Sequence, residues 1–205
     1  MGPGATYAVV TFLAGLITLL GWLYATADNP RSGAMLRKSF LLFVIPIVIS
    51  PFPEFFKFPL GIWVWVACEE GLKVIGWTQE EKPTDKFWLI SLFGIWELIA
   101  FKPVWGIAVA QSGESWDRLD IIGLAYATAL PVLMHTVTAA IYAFTFQQRL
   151  WAAFIGSLAV HISFNEAAER YYGSMLAVVV ETVVLASMLG LILRRWQGET
   201  EGEAL

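Results

Sequence analysis

Long apolar stretches alternate with short polar segments along the chain, and this pattern predicts membrane-spanning helices. A helix needs about 20 apolar residues to cross the hydrocarbon core of a bilayer. On that basis the sequence predicts spans near residues 7–25, 38–56, 58–77, 87–110, 121–146, 150–168 and 174–193. Pro46, Pro51 and Pro53 interrupt the second span, which is therefore expected to be kinked or short. The predicted fold is an all-α transmembrane helix bundle with about seven spans.

Composition agrees with this pattern and limits the other possibilities. Hydrophobic residues make up 58% of the 205-residue chain, against about 45–50% in a soluble domain. A net charge of −4 without a basic cluster gives no support for nucleic-acid binding. Because no repeat or composition shift divides the chain, residues 1–196 are predicted to form one helical domain. Residues 197–205 are expected to be a short, acidic, disordered tail, and residues 113–120 a polar loop.

The distribution of lysine and arginine predicts the orientation of the spans. With the N-terminus outside, the cytoplasmic segments contain Arg31, Arg37, Lys38, Lys82, Lys86, Arg149, Arg194 and Arg195. The outside segments contain only Lys57, Lys102, Arg118 and Arg170. Positive charge favours the cytoplasmic side. We therefore expect a multi-pass membrane protein with its N-terminus outside and its C-terminus in the cytoplasm.

Polar side chains lie inside five of the predicted spans. A charged residue at the centre of a membrane helix costs about 2.5–3.5 kcal/mol on insertion scales, so such residues are functional candidates. They are Glu69, Glu70 and Lys73 in the third span, Glu97 in the fourth, His135 in the fifth, His161 and Asn165 in the sixth, and Glu181 in the seventh. Residues four apart share a helix face, which predicts that Glu69 pairs with Lys73. Glu69 and Glu70 cannot share one face, so one is expected to take part in chemistry while the other orients a neighbouring helix.

These side chains are expected to converge on a polar, water-accessible cavity inside the membrane. A carboxylate can take a proton from water, an imidazole can relay it, and asparagine or histidine can bind a developing oxyanion. No serine has a recognisable histidine partner, and neither has Cys68, the single cysteine. The attacking group is therefore expected to be water, and the set of residues is suited to hydrolysis.

Four short motifs at these positions resemble those of a known family. The stretch EEGLK at residues 69–73 matches the EExxK motif of the PrsW family, and FGIWE at 93–97 matches its FxxxE motif. His135, followed by Thr138, is similar to the family's histidine helix, and HISFN at 161–165 is similar to its last motif, HxxxD or HxxxN. The PrsW family is grouped with the CAAX-protease and bacteriocin-processing (CPBP) superfamily of glutamic intramembrane proteases.

The resemblance implies a protease that cleaves membrane proteins within or close to the bilayer without a cofactor. The implied substrate is a membrane protein such as a single-span protein or an anti-sigma factor, and a prokaryotic cell membrane is the expected location. By this resemblance Glu69 is the base that activates water, and Glu70 and Lys73 support it. His161 and Asn165 bind the oxyanion. His135 and Glu97 complete the site, and Phe93 is expected to pack against it.

Two positions depart from the pattern of the CAAX enzymes and favour the PrsW branch. Glu97 stands where the CAAX enzymes have histidine, and Lys73 stands where they have an arginine one residue further on. These departures leave open which imidazole assists Glu69, and His135 is the candidate. Glu181 belongs to no recognised motif.

Other functions remain open. Two glutamates and two histidines could bind Zn²⁺ in an intramembrane metalloprotease, although the chain has no HExxH motif and asparagine is a poor zinc ligand. A catalytically inactive membrane scaffold is a further alternative. A proton-coupled transporter is less well supported, because transporters often contain inverted repeats and this chain has none. The complete set of polar residues favours the protease.

Overall fold

The computed structural model of the chain describes residues 3–44, 61–104, 106–107, 121–146, 149–171 and 174–202. Within these ranges the chain is helical apart from short turns and linking residues, and it contains no β-strand. The all-α fold predicted from the hydrophobic pattern is therefore confirmed. The polar loop predicted at 113–120 and most of the second predicted span lie outside the described residues.

The described helices follow the order of the apolar stretches. They are α1 (Pro3–Ala25), α2 (Ser32–Ser39), α3 (Gly61–Thr78), α4 (Pro83–Trp96), α5 (Ile121–Ala127), α6 (Ala129–Ala140), α7 (Leu150–Arg170) and α8 (Met175–Gly202). Three of them, α2, α4 and α6, continue directly into π-helical turns, in which backbone N–H groups bond five residues back. These turns are Phe40–Val44, Glu97–Phe101 and Ile141–Thr145.

Within the part of the chain that the structure describes, four helical stretches are long and apolar enough to cross a membrane. They are Gly4–Ala25, Pro83–Val104, Ile122–Thr145 and Met175–Gln197, which coincide with the first, fourth, fifth and seventh predicted spans. Helices α3 and α7 form where the third and sixth spans were predicted, but they are not among these four stretches. The chain thus has the helices expected of a membrane protein, and the number of spans stays a prediction.

Two helix boundaries differ from the sequence prediction. The fifth predicted span is divided between α5 and α6 at Thr128, and Pro131 follows within the first turn of α6, where its missing N–H is tolerated. Helix α8 continues to Gly202, so residues 197–202 of the predicted disordered tail are helical. Once a helix has formed, each further residue adds a backbone hydrogen bond, which extends α8 into this polar segment. Residues 203–205 lie outside the described residues.

Helices α4 and α6 pack against each other in the centre of the bundle. Helices α1 and α2 cover one side of α4, α7 and α8 pack on α6, and α3 lies between α4 and α7. The ring of Phe43, in the π-helical turn after α2, packs on Phe93 of α4 with centroids 4.6 Å apart. Leu20 on α1 and Leu176 on α8 are exposed, as expected for helix faces in contact with lipid.

Two contacts join segments that are predicted to be cytoplasmic or helix ends next to them. Arg31, in the link between α1 and α2, forms a 2.8 Å ion pair with Asp85 in the first turn of α4. Trp196, near the end of α8, stacks on Phe144 after α6, with centroids 4.4 Å apart. The orientation of the helices relative to the membrane stays a prediction.

Gly15 allows α1 to pack closely on the π-helical turn after α4. A Cβ atom at Gly15 would lie 2.6 Å from Cγ1 and 3.1 Å from the backbone nitrogen of Ile99, whereas one at Gly21 would meet nothing within 4 Å. We predict that Gly15→Ala lowers the free energy of unfolding by about 1–3 kcal/mol relative to Gly21→Ala, because the backbone must shift. Unfolding of both variants in detergent micelles measures the difference. Equal stability of the two variants would contradict this packing.

Candidate active site

Glu70, in the middle of α3, is fully buried, and its carboxylate accepts hydrogen bonds from three residues. Lys73 Nζ lies 2.6 Å and His161 Nδ1 2.9 Å from Glu70 Oε1, and the Ser157 hydroxyl donates to Oε2. Ser157 and His161 are four residues apart on α7, so one face of that helix turns towards Glu70. The Glu70 carboxylate thereby links α7 to α3.

Lys73 is also fully buried and connects α3 to α6. Its Nζ donates to Thr138 Oγ1 at 2.9 Å as well as to Glu70, and it lies 5.3 Å from the ring centroid of Phe93. Lys73 therefore pairs with Glu70. The spacing of four had predicted a pair with Glu69, and that prediction is wrong. The reason is tertiary: the ammonium turns towards Thr138, on the side of α3 where Glu70 lies.

Glu69 contacts the other nitrogen of His161. Its Oε2 lies 3.3 Å from His161 Nε2, and Trp65, one turn earlier on α3, hydrogen-bonds the same carboxylate. Glu69 and His161 are both buried, with 5% and 3% of their surface exposed. One imidazole thus bridges the two adjacent glutamates, with Nδ1 on Glu70 and Nε2 on Glu69.

A second carboxylate–imidazole pair lies beside the first. His135 Nε2 is 2.7 Å from Glu97 Oε2, and Lys102 Nζ is 3.5 Å from Glu97 Oε1. The His135 ring packs edge-to-face on the His161 ring with centroids 5.1 Å apart. A Cβ atom at Gly94 would lie 2.9 Å from His135 Cβ, so glycine is what allows α4 to approach α6 here.

The structure places the two imidazoles differently from the sequence expectation. His135 was the candidate to assist Glu69, but the carboxylate it contacts is that of Glu97. The imidazole beside Glu69 is His161. Phe93 is fully buried, and its ring packs on His135 with centroids 5.0 Å apart, which fits the packing role predicted for it.

Asn165 lies one turn beyond His161 on α7 and is half-buried. It borders a narrow cleft between α3 and α7 that Trp63 and Val66 also line. Glu69 follows Val66 by one helical turn on α3 but does not itself line this cleft.

Most of the residues singled out in the sequence therefore meet in one buried cluster. The cluster contains Glu69, Glu70, Lys73, Phe93, Glu97, His135 and His161, with Asn165 at its edge. Glu181 lies elsewhere and accepts a 2.9 Å hydrogen bond from the Tyr126 hydroxyl, which links α5 to α8. Ser157 and Lys102 were not predicted. The spacing of four between Ser157 and His161 could have identified the serine.

The charges of the cluster indicate where it can hold a mobile proton. Glu70 pairs with Lys73 and Glu97 pairs with Lys102, which leaves Glu69 beside His161. Because buried charges require compensation, one proton shared by Glu69 and His161 would make the cluster neutral. A carboxylate and an imidazole that share a proton can act as base and acid in turn.

Comparisons of the chain with protein-family models, with curated proteins and with solved structures give no match. Among the described residues, no group of three or more histidine, cysteine, aspartate or glutamate side chains is arranged to hold a metal ion. The functional interpretation therefore depends on the geometry of these residues and on the motifs that resemble those of the PrsW family.

Removal of the Glu70 charge leaves the buried Lys73 ammonium without its anion. We predict that Glu70→Gln lowers the free energy of unfolding by about 3–5 kcal/mol, and that Glu69→Gln lowers it by much less. The double variant Glu70→Gln/Lys73→Met should recover part of the loss, because it removes both buried charges. Denaturant unfolding in detergent micelles measures all three. Equal losses for the two glutamate variants would contradict the structural role of Glu70.

Proposed function

We propose that the chain is an intramembrane endopeptidase of the glutamic type, which hydrolyses a peptide bond of a membrane-protein substrate within or near the bilayer. The observation that carries this proposal is that one imidazole contacts two adjacent glutamates, each through a different ring nitrogen. Glu70 fixes His161 through Nδ1, while Glu69 faces Nε2. A buried base beside an oriented imidazole suits the activation of water. The four motifs that resemble those of the PrsW family support the same function.

Glu70 determines which nitrogen of the neutral His161 ring carries the hydrogen. A carboxylate that is paired with Lys73 can only accept hydrogen bonds, so Nδ1–H donates to Glu70. Nε2 is then available to the proton shared with Glu69. When that proton is on Nε2, Glu69 is a free carboxylate and His161 is a cation that donates a hydrogen bond.

In this protonation state the cluster has the groups that peptide hydrolysis needs. Glu69 takes a proton from water while the water oxygen attacks the carbonyl carbon of the scissile bond. The negative charge that develops on the carbonyl oxygen is stabilised by Nε2–H of His161 and by the side-chain amide of Asn165. Glu69 then gives the proton to the leaving nitrogen, the C–N bond breaks, and a carboxylic acid and an amine are released.

The substrate is proposed to reach Glu69 through the cleft between α3 and α7. This cleft is lined by Trp63 and Val66 on one side and by Asn165 on the other, so a peptide bound there would lie next to the side-chain amide. The resemblance suggests a single-span membrane protein, such as an anti-sigma factor, as the substrate. It also suggests a prokaryotic cell membrane as the location.

Cleavage of single-span proteins reconstituted with the chain in liposomes tests the proposal. We predict that Glu69→Gln and His161→Ala each lower the cleavage rate by at least about 100-fold, because each removes a group that moves or holds a proton in the reaction. Glu181→Gln is the matched control, since Glu181 lies outside the cluster, and it should retain the wild-type rate. A strong chelator should leave the wild-type rate unchanged.

Two outcomes of the same experiment would contradict the proposal. Loss of cleavage on chelation, restored by Zn²⁺, would indicate a metalloprotease. If folded wild-type protein cleaved no substrate of a broad single-span library, the inactive scaffold would be the better account.

A further inference from the structure

Lys102 lies outside every motif of the sequence, yet it contacts the candidate active site. We infer that Lys102 is a positioning residue of this site, which acts through Glu97 to fix the tautomer of His135. In the fixed tautomer, His135 Nδ1 accepts a hydrogen bond from the attacking water. The inference rests on the proposed function and adds to it a second acceptor for that water.

The π-helical turn after α4 brings Lys102 to Glu97. In an α-helix, residues five apart are separated by about 140° around the axis, so their side chains do not meet. Here the Lys102 backbone N–H donates to the Glu97 carbonyl five residues back, and Lys102 Nζ lies 3.5 Å from Glu97 Oε1. Lys102 Nζ also donates to the Tyr126 carbonyl of α5 at 3.3 Å. The ammonium is thus held on the carboxylate from two sides.

Glu97 in turn determines the hydrogen position on His135. Paired with Lys102, the Glu97 carboxylate is ionised and can only accept, so the 2.7 Å contact requires the hydrogen on His135 Nε2. His135 Nδ1 is then an acceptor. The ring is fully buried, and Nδ1 has no hydrogen-bond partner among the described residues.

The position of the ring limits what Nδ1 can bind. A Cβ atom at Gly94 would lie 3.2 Å from His135 Cδ2, so this edge of the ring faces α4 and Nδ1, on the opposite edge, faces away from it. The His161 ring is 5.1 Å from the His135 ring, and its Nε2 contacts Glu69. Because a buried acceptor needs a hydrogen-bond donor, His135 Nδ1 requires one. In the proposed hydrolysis, the attacking water beside Glu69 is a donor small enough to bind there.

The two acceptors use both hydrogens of one water molecule. One O–H points to Glu69, which takes that proton, and the other points to His135 Nδ1, which only accepts the hydrogen bond. A lone pair of the water oxygen is then directed at the carbonyl carbon. Lys102 and Glu97 keep His135 in this orientation, so they affect the chemical step and not the affinity for substrate.

Kinetics of a Lys102→Met variant test the positioning role on a substrate that the wild type cleaves. We expect kcat to fall by about 10- to 100-fold with KM unchanged, the scale seen for residues that orient a metal-binding histidine. Lys102→Arg should regain part of the rate because it keeps the charge. The matched control is Lys86→Met, since Lys86 lies at the other end of α4 over Trp77, and its kcat should match the wild type. An unchanged kcat for Lys102→Met, or a change in KM alone, would overturn the inference.

Two substitutions of His135 identify the nitrogen that matters. Asparagine can place a polar atom near the position of Nδ1, whereas glutamine can place one near Nε2. Function through Nδ1 predicts that His135→Asn keeps a higher kcat than His135→Gln. The reverse order, or equal rates, would show that the contact with Glu97 is structural and would overturn the inference. These outcomes are distinct from failure of the proposed function, in which the wild type does not cleave or Glu69→Gln remains active.

Discussion

The arrangement of the site depends on the burial of the Lys73 ammonium together with the Glu70 carboxylate. An ion pair in a medium of low dielectric is stable only if its remaining hydrogen-bonding groups are also satisfied. Thr138 supplies such a partner from α6, and Ser157 and His161 supply partners from α7. The ion pair, whose charges are costly in a membrane helix, thus forms the hydrogen bonds that connect α3 to α6 and α7. It also leaves Glu69 as the carboxylate that is not committed to this ion pair.

Irregular backbone geometry provides the second half of the cluster. The π-helical turn after α4 aligns Lys102 with Glu97, and Gly94 lets α6 come close enough for His135 to reach that carboxylate. π-helical turns occur frequently at functional sites because they change the direction of side chains within a continuous helix. Here the turn provides a second ion pair, so each imidazole contacts a carboxylate that has its own lysine.

The sequence was sufficient to locate the helices that carry the cluster and most of its residues, because polar residues in apolar spans are costly and hence informative. It was not sufficient to predict which glutamate forms an ion pair with which lysine. Spacings of three and four are both compatible with a helical ion pair, and only the position of Thr138 on α6 directs Lys73 to Glu70. Lys102 could not be found either, since a spacing of five places it beside Glu97 only where the helix forms a π-helical turn.

Chemical rescue by a small carboxylate tests the division of roles between the two glutamates most directly. Glu69→Ala and Glu70→Ala each leave a cavity the size of a carboxylate side chain, and formate can be added to each reconstituted variant together with a substrate. We predict that formate restores cleavage to Glu69→Ala, because a free carboxylate can again take the proton from water. We predict no rescue of Glu70→Ala, whose loss breaks the contacts that orient His161. Rescue of Glu70→Ala alone would contradict the account and would make Glu70 the base.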